Sequence, residues 1–555
     1  MPKLINLRLN GIQLKVGEEE SLLLSRVADA LGIPTDSIKD SIKEMHIVKK
    51  SLDARKKSNL FYVYTVEATC FISGTFRPLN KGISIERVIP EPAPELKRGT
   101  EMLIYPPVII GAGPAGIFAA LTLAKMGYRP MLIEQGKDVR SRVMDVETFW
   151  RSGQLDETSN TQFGEGGAGT FSDGKLTFRG RSAFAATVFN ELVQCGAPPD
   201  ILYWHKPHLG TDVLRKVVPN IRRKIIALGG QVFFETQMEE ILIENGRIRG
   251  IKIKGKGEIP VSLLLLAPGN SSRKVYEMLF KKEVAMEAKP FAVGVRIEHS
   301  QKYINEMQYG QNACSTCHAC TALLPVADYN FTWQYKDRGV YTFCMCPGGY
   351  VVNASSHEGH LVTNGMSFSP RASGRSNSAV VAAVDKKDFG DGVLDGMRFQ
   401  QQLERKAFAL GGSDYCMPSQ TVGSFISSRQ NDSDLSGFKP LSYGVKAANL
   451  HSALPAQVHE AIISALIGWS AKQEGFIGRD VFVTGVETRT SAPVRILRNE
   501  FMESVSTQGL YPLGEGAGYA GGITSSAIDG MKAATCIIER FAPPSVDFPS
   551  DLLLK

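Results

Sequence analysis

The sequence predicts an α/β fold, and three observations support that prediction. A short apolar strand, Val108 to Ile110, runs into glycines and then into an apolar helix. A second short strand follows that helix and ends at Glu134. A third, fully apolar run, Leu263 to Ala267, ends at a Pro-Gly loop. Strands that alternate with helices in this way are typical of a parallel sheet, whose loops at the strand ends hold ligands.

Length and composition set the limits of this fold. With 555 residues the chain is long enough for more than one domain, and 43% hydrophobic and 21% charged residues are ordinary globular values. The net charge of +7 permits an anionic partner without requiring one. Nine cysteines do not resemble a secreted disulfide framework, and neither a signal core nor a membrane-length apolar run is present. We therefore expect a cytoplasmic protein without a membrane partner.

The order of elements predicts three domains, one of them in two parts. Residues 1–95 form a small α+β N-terminal domain that ends at a proline-rich, acidic linker. Residues 100–285 form the first part of a nucleotide-binding domain. The strand pattern changes near Pro290, so residues 286–498 are predicted to form an inserted α+β substrate or cap domain. Residues 499–555 return as the C-terminal part of the nucleotide-binding domain.

The N-terminal domain begins with a predicted strand, residues 4–9, and two helices, residues 21–31 and 37–45, before an alternating strand at residues 59–68. A basic stretch, Lys49 to Lys57, lies between the second helix and that strand. We interpret it as a solvated turn. The alternative is a surface for RNA, another anion or an acidic protein, which would allow weak nucleic-acid contact.

The strand-to-helix junction at residue 111 predicts a pyrophosphate site. Gly111 permits the tight turn, Gly113 lets the backbone approach phosphates, and Gly116 lets the helix pack closely on the strand. The helix start supplies N–H groups and the positive end of a dipole, and Glu134 is placed to accept hydrogen bonds from a ribose. The predicted contacts are Gly111, Gly113, Pro114, Ala115, Gly116 and Glu134.

A second glycine cluster, residues 162–174, allows backbone N–H groups to lie against the same ligand. Its central residues, Gly166, Gly167 and Ala168, are the predicted contacts, and a flexible surface loop is the alternative. Helices are predicted next at residues 183–194 and 211–228, followed by a β-rich run up to residue 267.

The inserted domain is predicted to open with the alternating strand Phe291 to His299. Residues 376–378 precede a predicted apolar helix, and further helices are predicted at residues 393–409 and 455–471. The chain returns through a strand at residues 481–490, a glycine-rich segment at 514–522, and a helix from about residue 523 to 540.

The nucleotide loop, the middle strand and the C-terminal glycine-rich segment together resemble the FAD-binding flavoproteins of the glutathione-reductase structural class. The resemblance implies a Rossmann-like FAD-binding domain completed by the C-terminal segment. It also implies that Glu515, where that class usually has Asp, bonds the flavin ribityl chain, and that the helix opening near Ile523 stabilises reduced FAD. The implied C-terminal contacts are Gly514, Glu515, Gly522 and Ile523.

Five further segments, spread over nearly the whole length, carry a closer resemblance: residues 51–57, 163–176, 294–299, 344–349 and 487–495. By these segments the chain resembles a bacterial and plastid family of uncharacterised FAD-dependent dehydrogenases. The chain departs from that family at Asn270, where a His is usual, and in the cysteines at 314, 317 and 320.

Charged side chains of the inserted domain are the candidates for chemistry on a substrate. The predicted catalytic or substrate-binding groups are Arg296, His299, Glu487 and Arg489, with Glu298 and Arg495 nearby on the same two predicted strands. By the two-residue strand period, Arg296 shares a face with Glu298, and Glu487 shares a face with Arg489. Arginine can hold an anion or carbonyl at two points. The alternative is a structural ion-pair network in which these opposite charges neutralise one another.

The cysteine spacing Cys314-x-x-Cys317-His318-x-Cys320, with Cys344 and Cys346 downstream, could ligate zinc or an iron–sulfur cluster. We expect unliganded thiols and no metal. No cysteine lies between Gly116 and Gln194, where disulfide reductases of this class carry their redox pair. Only one Gly-x-Gly-x-x-Gly lies at a strand-to-helix junction, so the sequence predicts no separate NAD(P)-binding domain. The electron donor or acceptor is therefore unknown.

These observations predict an FAD-dependent oxidoreductase, a dehydrogenase or reductase, that acts on a small anionic or unsaturated substrate. Two alternatives stay open. One is an RNA-associated flavoenzyme that uses the basic N-terminal domain, and the other is a flavin-bound sensor without catalysis.

Overall fold

The fold is described from a computed structural model, which describes residues 3–72, 82–89, 96–178, 180, 182–311, 324–428, 434–438 and 440–547. It consists of two units. The first comprises Met1–Glu95, Pro198–Pro207 and Lys302–Asp328, and the second comprises the remainder of the chain. The predicted cysteine cluster at 314, 317 and 320 lies outside the described residues.

The first unit is built on an antiparallel sheet of four strands in the order β2-β3-β1-β4. Alternate side chains of the sheet, such as Leu7 and Leu9, pack with Val27 of helix α1 in a closed apolar core. The elements are β1 Lys3–Lys15, α1 Leu23–Leu31, α2 Ile38–Ser41, β2 Ile42–Asp53, β3 Phe61–Ile72 and β4 Ser84–Arg87.

Two sequence predictions are wrong in this unit. The helix predicted at residues 37–45 ends at Ser41, and Lys49 to Asp53 belong to strand β2 instead of a turn. Pairing with β3 overrides the local helical pattern, since Lys50 lies opposite Tyr64. The Lys50 ammonium lies over the rings of Tyr62 and Trp204, 4.6 and 4.7 Å from their centroids, so its stem covers apolar surface.

The second unit contains a five-stranded parallel sheet in the order β23-β11-β5-β6-β7, which confirms the predicted α/β class. Its central strands are wholly buried, as expected of a sheet covered on both faces. The chain segments before and after the inserted region therefore share one sheet. The strands are β5 Val108–Ile110, β6 Met131–Ile133, β7 Gln231–Phe233, β11 Leu264–Leu266 and β23 Leu510–Pro512, with a separate sheet of β8 Met238–Glu244, β9 Arg247–Ile253 and β10 Gly257–Pro260.

A seven-stranded, mostly antiparallel sheet forms the inserted region, in the order β14-β15-β18-β13-β21-β19-β20. Residues after Ser378 continue strand β18, so the apolar helix predicted there is wrong. Pairing with β13 and β15 on both sides explains why this apolar run is extended. The strands of this sheet are β13 Phe291–Ser300, β14 Thr332–Tyr335, β15 Arg338–Cys346, β18 Arg375–Val384, β19 Met417–Thr421, β20 Val445–Ala447 and β21 Phe482–Glu487. Two separate two-stranded sheets pair β12 Met286–Ala288 with β22 Val494–Ile496 and β16 Tyr350–Asn353 with β17 Thr363–Met366.

The helices of the remaining chain include α3 and α13, which pack against each other. The described part of the chain has no helix long and apolar enough to cross a membrane. The helices are α3 Pro114–Lys125, α4 Val139–Ser152, α5 Ala183–Gln194, α6 Thr211–Ala227, α7 Arg273–Lys281, α8 Gln301–Tyr309, α9 Lys386–Phe389, α10 Asp395–Leu410, α11 Val422–Ser427, α12 Ala456–Ser470 and α13 Ile523–Arg540.

The contact between α13 and α3 gives a test of stability. A Cβ atom on Gly530 would lie 2.0 Å from the backbone oxygen of Ala115, so Gly530→Ala forces the two helices apart. We expect a loss of about 1–3 kcal/mol in unfolding free energy, as for other overpacked sites, and a lower melting temperature in calorimetry. The control is Gly423→Ala on exposed α11, where a Cβ has nothing within 4 Å. Equal melting temperatures for both variants would contradict this packing.

Candidate nucleotide and redox site

The junction between β5 and α3 has a geometry that only glycine satisfies. Gly111 has φ of +100°, and a Cβ there would lie 2.1 Å from the Ala267 oxygen at the end of β11. A Cβ on Gly116 would lie 1.9 Å from the Gly111 oxygen, so the helix packs tightly on its own turn. Helix α3 begins at Pro114, directly after Gly113, and its first amides lie at this turn.

Gly113 differs from those two positions because a Cβ there would meet only the Gly167 Cα, at 3.8 Å. A side chain at this residue would therefore point into open space at the start of helix α3. That space lies where a pyrophosphate would be held, and a larger side chain would fill it. This observation fits a bound dinucleotide.

The second glycine cluster lies against the first loop. The Gly166 amide donates to the Ala112 oxygen at 2.7 Å, and a Cβ on Gly167 would lie 3.0 Å from the Gly113 Cα. Residues 167–171 form a short 3-10 helix, in which Ala168 is exposed. A Cβ on Gly169 would in turn lie 3.0 Å from Cγ1 of Ile523, the first residue of α13. The predicted contacts from three distant chain segments are therefore neighbours.

Glu134 is buried, and its carboxylate accepts hydrogen bonds from three backbone amides. Oε2 accepts from Ala112 at 2.7 Å, and Oε1 accepts from Gly136 at 2.9 Å and Gly164 at 3.0 Å. The carboxylate thus holds the two glycine loops together. The ribose contact predicted for it would use acceptor capacity that these amides leave on the same oxygens.

In the C-terminal segment, Gly514 donates its amide to Asp529 at 2.7 Å. The neighbouring Glu515 accepts from the Asn270 side chain at 2.7 Å. Burial raises the pKa of Glu515 to about 7, although the Asn270 hydrogen bond and the charge of Lys289 act in the opposite direction. Gly522 is the exposed residue before α13.

Among the predicted catalytic residues, Arg296 is fully buried in a network of protein acceptors. It donates to Glu487 twice, at 2.9 and 3.0 Å, and also to the Cys344 oxygen, Asn377 and Asn364. These contacts use all five N–H groups of the guanidinium. Direct substrate binding by Arg296 would require breaking this network.

Arg489 lies beyond strand β21, which ends at Glu487, so the strand period that predicted a shared face for the two residues does not extend to Arg489. Its guanidinium forms a two-point pair with Glu404 of α10, which also binds Arg273. Burial alone would raise the pKa of Glu404, but the two guanidiniums hold it well below its usual value. Arg489 also donates to Ser271 and Ser356, beside Asn270.

His299 lies on the opposite face of β13 from Arg296, by the two-residue period of the strand. Its ring is fully buried against Phe476 and Tyr329, and Nε2 lies 3.1 Å from the Phe476 oxygen. Burial lowers the pKa of His299 to about 4. These neighbours make it a core histidine and do not bring it to the glycine loops.

Sequence reasoning missed two acidic residues that position the site. Asp529 of α13 fixes Gly514 and pairs with Arg498 at 2.7 Å, and Glu404 fixes Arg489. Each stands on the buried face of its helix, where an acid is unusual without a partner. That position, an acid among apolar residues at helical spacing, is the signal that could have identified both.

Comparison with protein families supports FAD binding independently. Models described as "FAD binding domain" and "FAD-dependent protein, C-terminal domain-like" match residues 107–170 and 290–490, and a domain of unknown function matches residues 1–69. FAD is therefore the cofactor. The matches concern FAD-binding proteins in general, and the finer assignment to the glutathione-reductase class stays a prediction.

An uncharacterised protein of Clostridium beijerinckii is 45% identical over 543 residues, which cover 97% of this chain and 99% of that protein. Similar solved structures include flavin-dependent brominase Bmp2, with 11% identity, TM-score 0.34 and coverage of 78% of this chain and 79% of that one. A flavocytochrome c3 fumarate reductase has 12% identity, TM-score 0.32 and coverage of 79% and 78%. These two scores are too low to indicate a reaction.

The open space beside Gly113 predicts that a side chain there will interfere with FAD binding. Gly113→Val should abolish FAD retention, because the valine occupies the space for the pyrophosphate. The measurement is the flavin absorbance and FAD content of the purified protein. Gly423→Val, at an exposed position with open space, is the control and should retain FAD. Full occupancy in Gly113→Val, or FMN in the wild type, would contradict the assignment.

The raised pKa of Glu515 predicts a pH-dependent stability. The folded protein holds a proton on this carboxyl between pH 4.5 and about 7, where the unfolded chain has released it, so its contribution to stability falls as pH rises through that range. Glu515→Gln removes this loss, and its melting temperature relative to wild type should increase from pH 4.5 to 7. The exposed Glu500→Gln is the control. A difference that stays constant with pH would contradict the pKa.

Proposed function

The chain belongs to the same family as the Clostridium beijerinckii protein, and from that premise we propose that it is an FAD-dependent oxidoreductase acting on a small anionic or unsaturated substrate. The observation that carries the proposal is the meeting of three glycine-rich segments at the first residues of two helices, α3 and α13. Two helix starts suit a ligand with phosphates at one end and an electron-rich ring at the other.

The residues present fit FAD. Gly113 and the segment at 166–168 would lie at the pyrophosphate, and Glu515 and the start of α13 would lie at the flavin end. Bound FAD supplies an acceptor or donor of two electrons. The chain itself supplies a carboxyl at Glu515 whose pKa is raised to about 7, beside the amide of Asn270.

The cationic groups near Glu515 support an anionic substrate. Lys289 influences Glu515 electrostatically, and Arg489 lies beside the Asn270 loop. Arg296 and Glu487 support the proposal as positioning residues, because their mutual pair and the contact with the Cys344 backbone fix the end of β15. His299, in its aromatic surroundings, receives no role in proton transfer.

Contact with nucleic acid is not favoured by the geometry of the basic stretch. Lys50 pairs with Glu20, and the Arg55 guanidinium pairs with Asp53 at 2.6 Å. Both charges are thereby neutralised in part, which weakens attraction to phosphates. Steeply salt-dependent RNA binding by the purified protein would favour that alternative.

The experiment that tests the function is anaerobic screening of the yellow protein. We expect the flavin absorbance to bleach with one class of small organic acid or unsaturated compound, or, after reduction, to recover with it. Free FAD with the same compounds is the control, because it reports reactions that need no protein. A flavin that no metabolite, nicotinamide or protein donor reduces or oxidises would favour the sensor without catalysis.

A further inference from the structure

Cys344 and Cys346 differ from the other described cysteines in their arrangement. They stand two residues apart at the end of β15, and the Cys346 thiol donates a hydrogen bond to the Cys344 backbone oxygen at 3.3 Å. Both are free thiols in the structure.

The backbone at this point departs from a regular strand. Phe343 lies opposite Ala379 of β18, and the next registered pair is Cys346 with Asn377, so two residues of β15 lie opposite one of β18. Cys344 has φ of +45°, in the left-handed region that favours glycine. Glycine is the usual residue at such a position of a bulge, so a cysteine there carries backbone strain.

The bulge interrupts the regular strand geometry at the two cysteines. In an extended strand the Cα atoms of residues two apart are separated by about 6.6–7.2 Å, which is beyond nearly all disulfides, whose separation is roughly 4.4–6.8 Å. Residues 344 and 345 leave the regular ladder, so that extended spacing does not apply to this pair. The 3.3 Å contact between the Cys346 sulfur and the Cys344 oxygen shows that the Cys346 side chain turns back toward Cys344.

The charges around the pair favour one thiolate and one thiol. The hydrogen bond from Cys346 lowers the pKa of Cys344 to about 6 against the effect of burial, with help from Lys175 and Arg296. The pKa of Cys346 is raised, first by the hydrogen bond with Cys344 and then by burial. Asp173 lies 3.7 Å from the Lys175 ammonium, and Glu515 is within electrostatic reach of Cys344. Thr524 of α13 donates to the oxygen of Leu176, the residue after Lys175, at 2.9 Å. Lys175, which influences both thiols, therefore adjoins a residue that contacts the start of α13.

We propose that Cys344 and Cys346 form a redox-active dithiol and disulfide pair that exchanges two electrons with FAD. The inference rests on the FAD site proposed above. In the forward direction the Cys344 thiolate and the Cys346 thiol form one S–S bond and release two electrons and the Cys346 proton. FAD takes up both electrons and that proton and becomes the reduced anion, so charge and atoms balance. The reverse direction returns the two thiols.

The chain position of this pair explains why the sequence did not predict it. Disulfide reductases carry their redox pair after the first FAD helix, and this chain has no cysteine in that segment. The seven-stranded sheet instead delivers a Cys-x-Cys pair from a different element, through the bulge in β15.

The first test is anaerobic titration of the air-oxidised, FAD-loaded protein with dithionite. Wild type should consume two electrons for the flavin and two more for a disulfide. Cys344→Ser and Cys346→Ser should each lose the second pair of electrons while keeping their FAD. Cys416→Ser, which removes a half-buried thiol elsewhere, is the control and should behave as wild type.

The second test needs no variant. After denaturation and alkylation of the air-oxidised protein, the peptide with both cysteines should be two hydrogens lighter than its reduced form and carry no alkyl group. In the reduced native protein near pH 7, iodoacetamide should modify Cys344 at least about tenfold faster than Cys416, whose pKa burial raises to about 11. A wild type that takes up only two electrons, with both thiols alkylated, overturns the pair and leaves the FAD site intact. A protein without flavin overturns both.

Discussion

The buried carboxylate of Glu134 accepts hydrogen bonds from the amides of Ala112, Gly136 and Gly164. Ala112 belongs to the first glycine loop and Gly164 to the second, and Gly136 lies between them in the chain. A buried carboxylate that accepts several N–H bonds gives strong contacts. The open space at Gly113 depends on these hydrogen bonds, because they set where one loop lies against the other.

The C-terminal helix α13 is held at the site by two kinds of contact, close packing on another helix and a buried charged pair. Helix α13 lies so close to α3 that Gly530 leaves no room for a Cβ beside Ala115. One residue earlier, Asp529 accepts from Gly514 and pairs with Arg498. A buried ion pair contributes little net stability but strongly disfavours any arrangement that separates it. The pair therefore fixes the approach of the C-terminal loop more than it strengthens the fold.

The nucleotide loop was predictable because its requirements are local. Gly111 and Gly116 are specified by backbone conformation and by contacts within one strand-turn-helix unit, which a sequence displays directly. Strand β18 was mistaken for a helix because its apolar run carries no period, and only the pairing with β13 and β15 decides it. Asp529 and Glu404 were missed for the same reason, since their partners are distant in sequence. The pairing of charges across segments is a tertiary property, whereas a glycine turn is not.

In the inserted region, too, the sequence shows which residues are charged, but only tertiary contacts show which of them position other groups. Arg296 was a candidate on the basis of its charge, yet its five N–H groups all bind protein acceptors. One of those acceptors is the backbone oxygen of Cys344, the bulged residue of β15. A fully paired guanidinium is a rigid support, and here it supports a strained residue that a less constrained strand would relax. The hydrogen-bond network of the buried Arg296 thus maintains the backbone geometry of the strained residue Cys344.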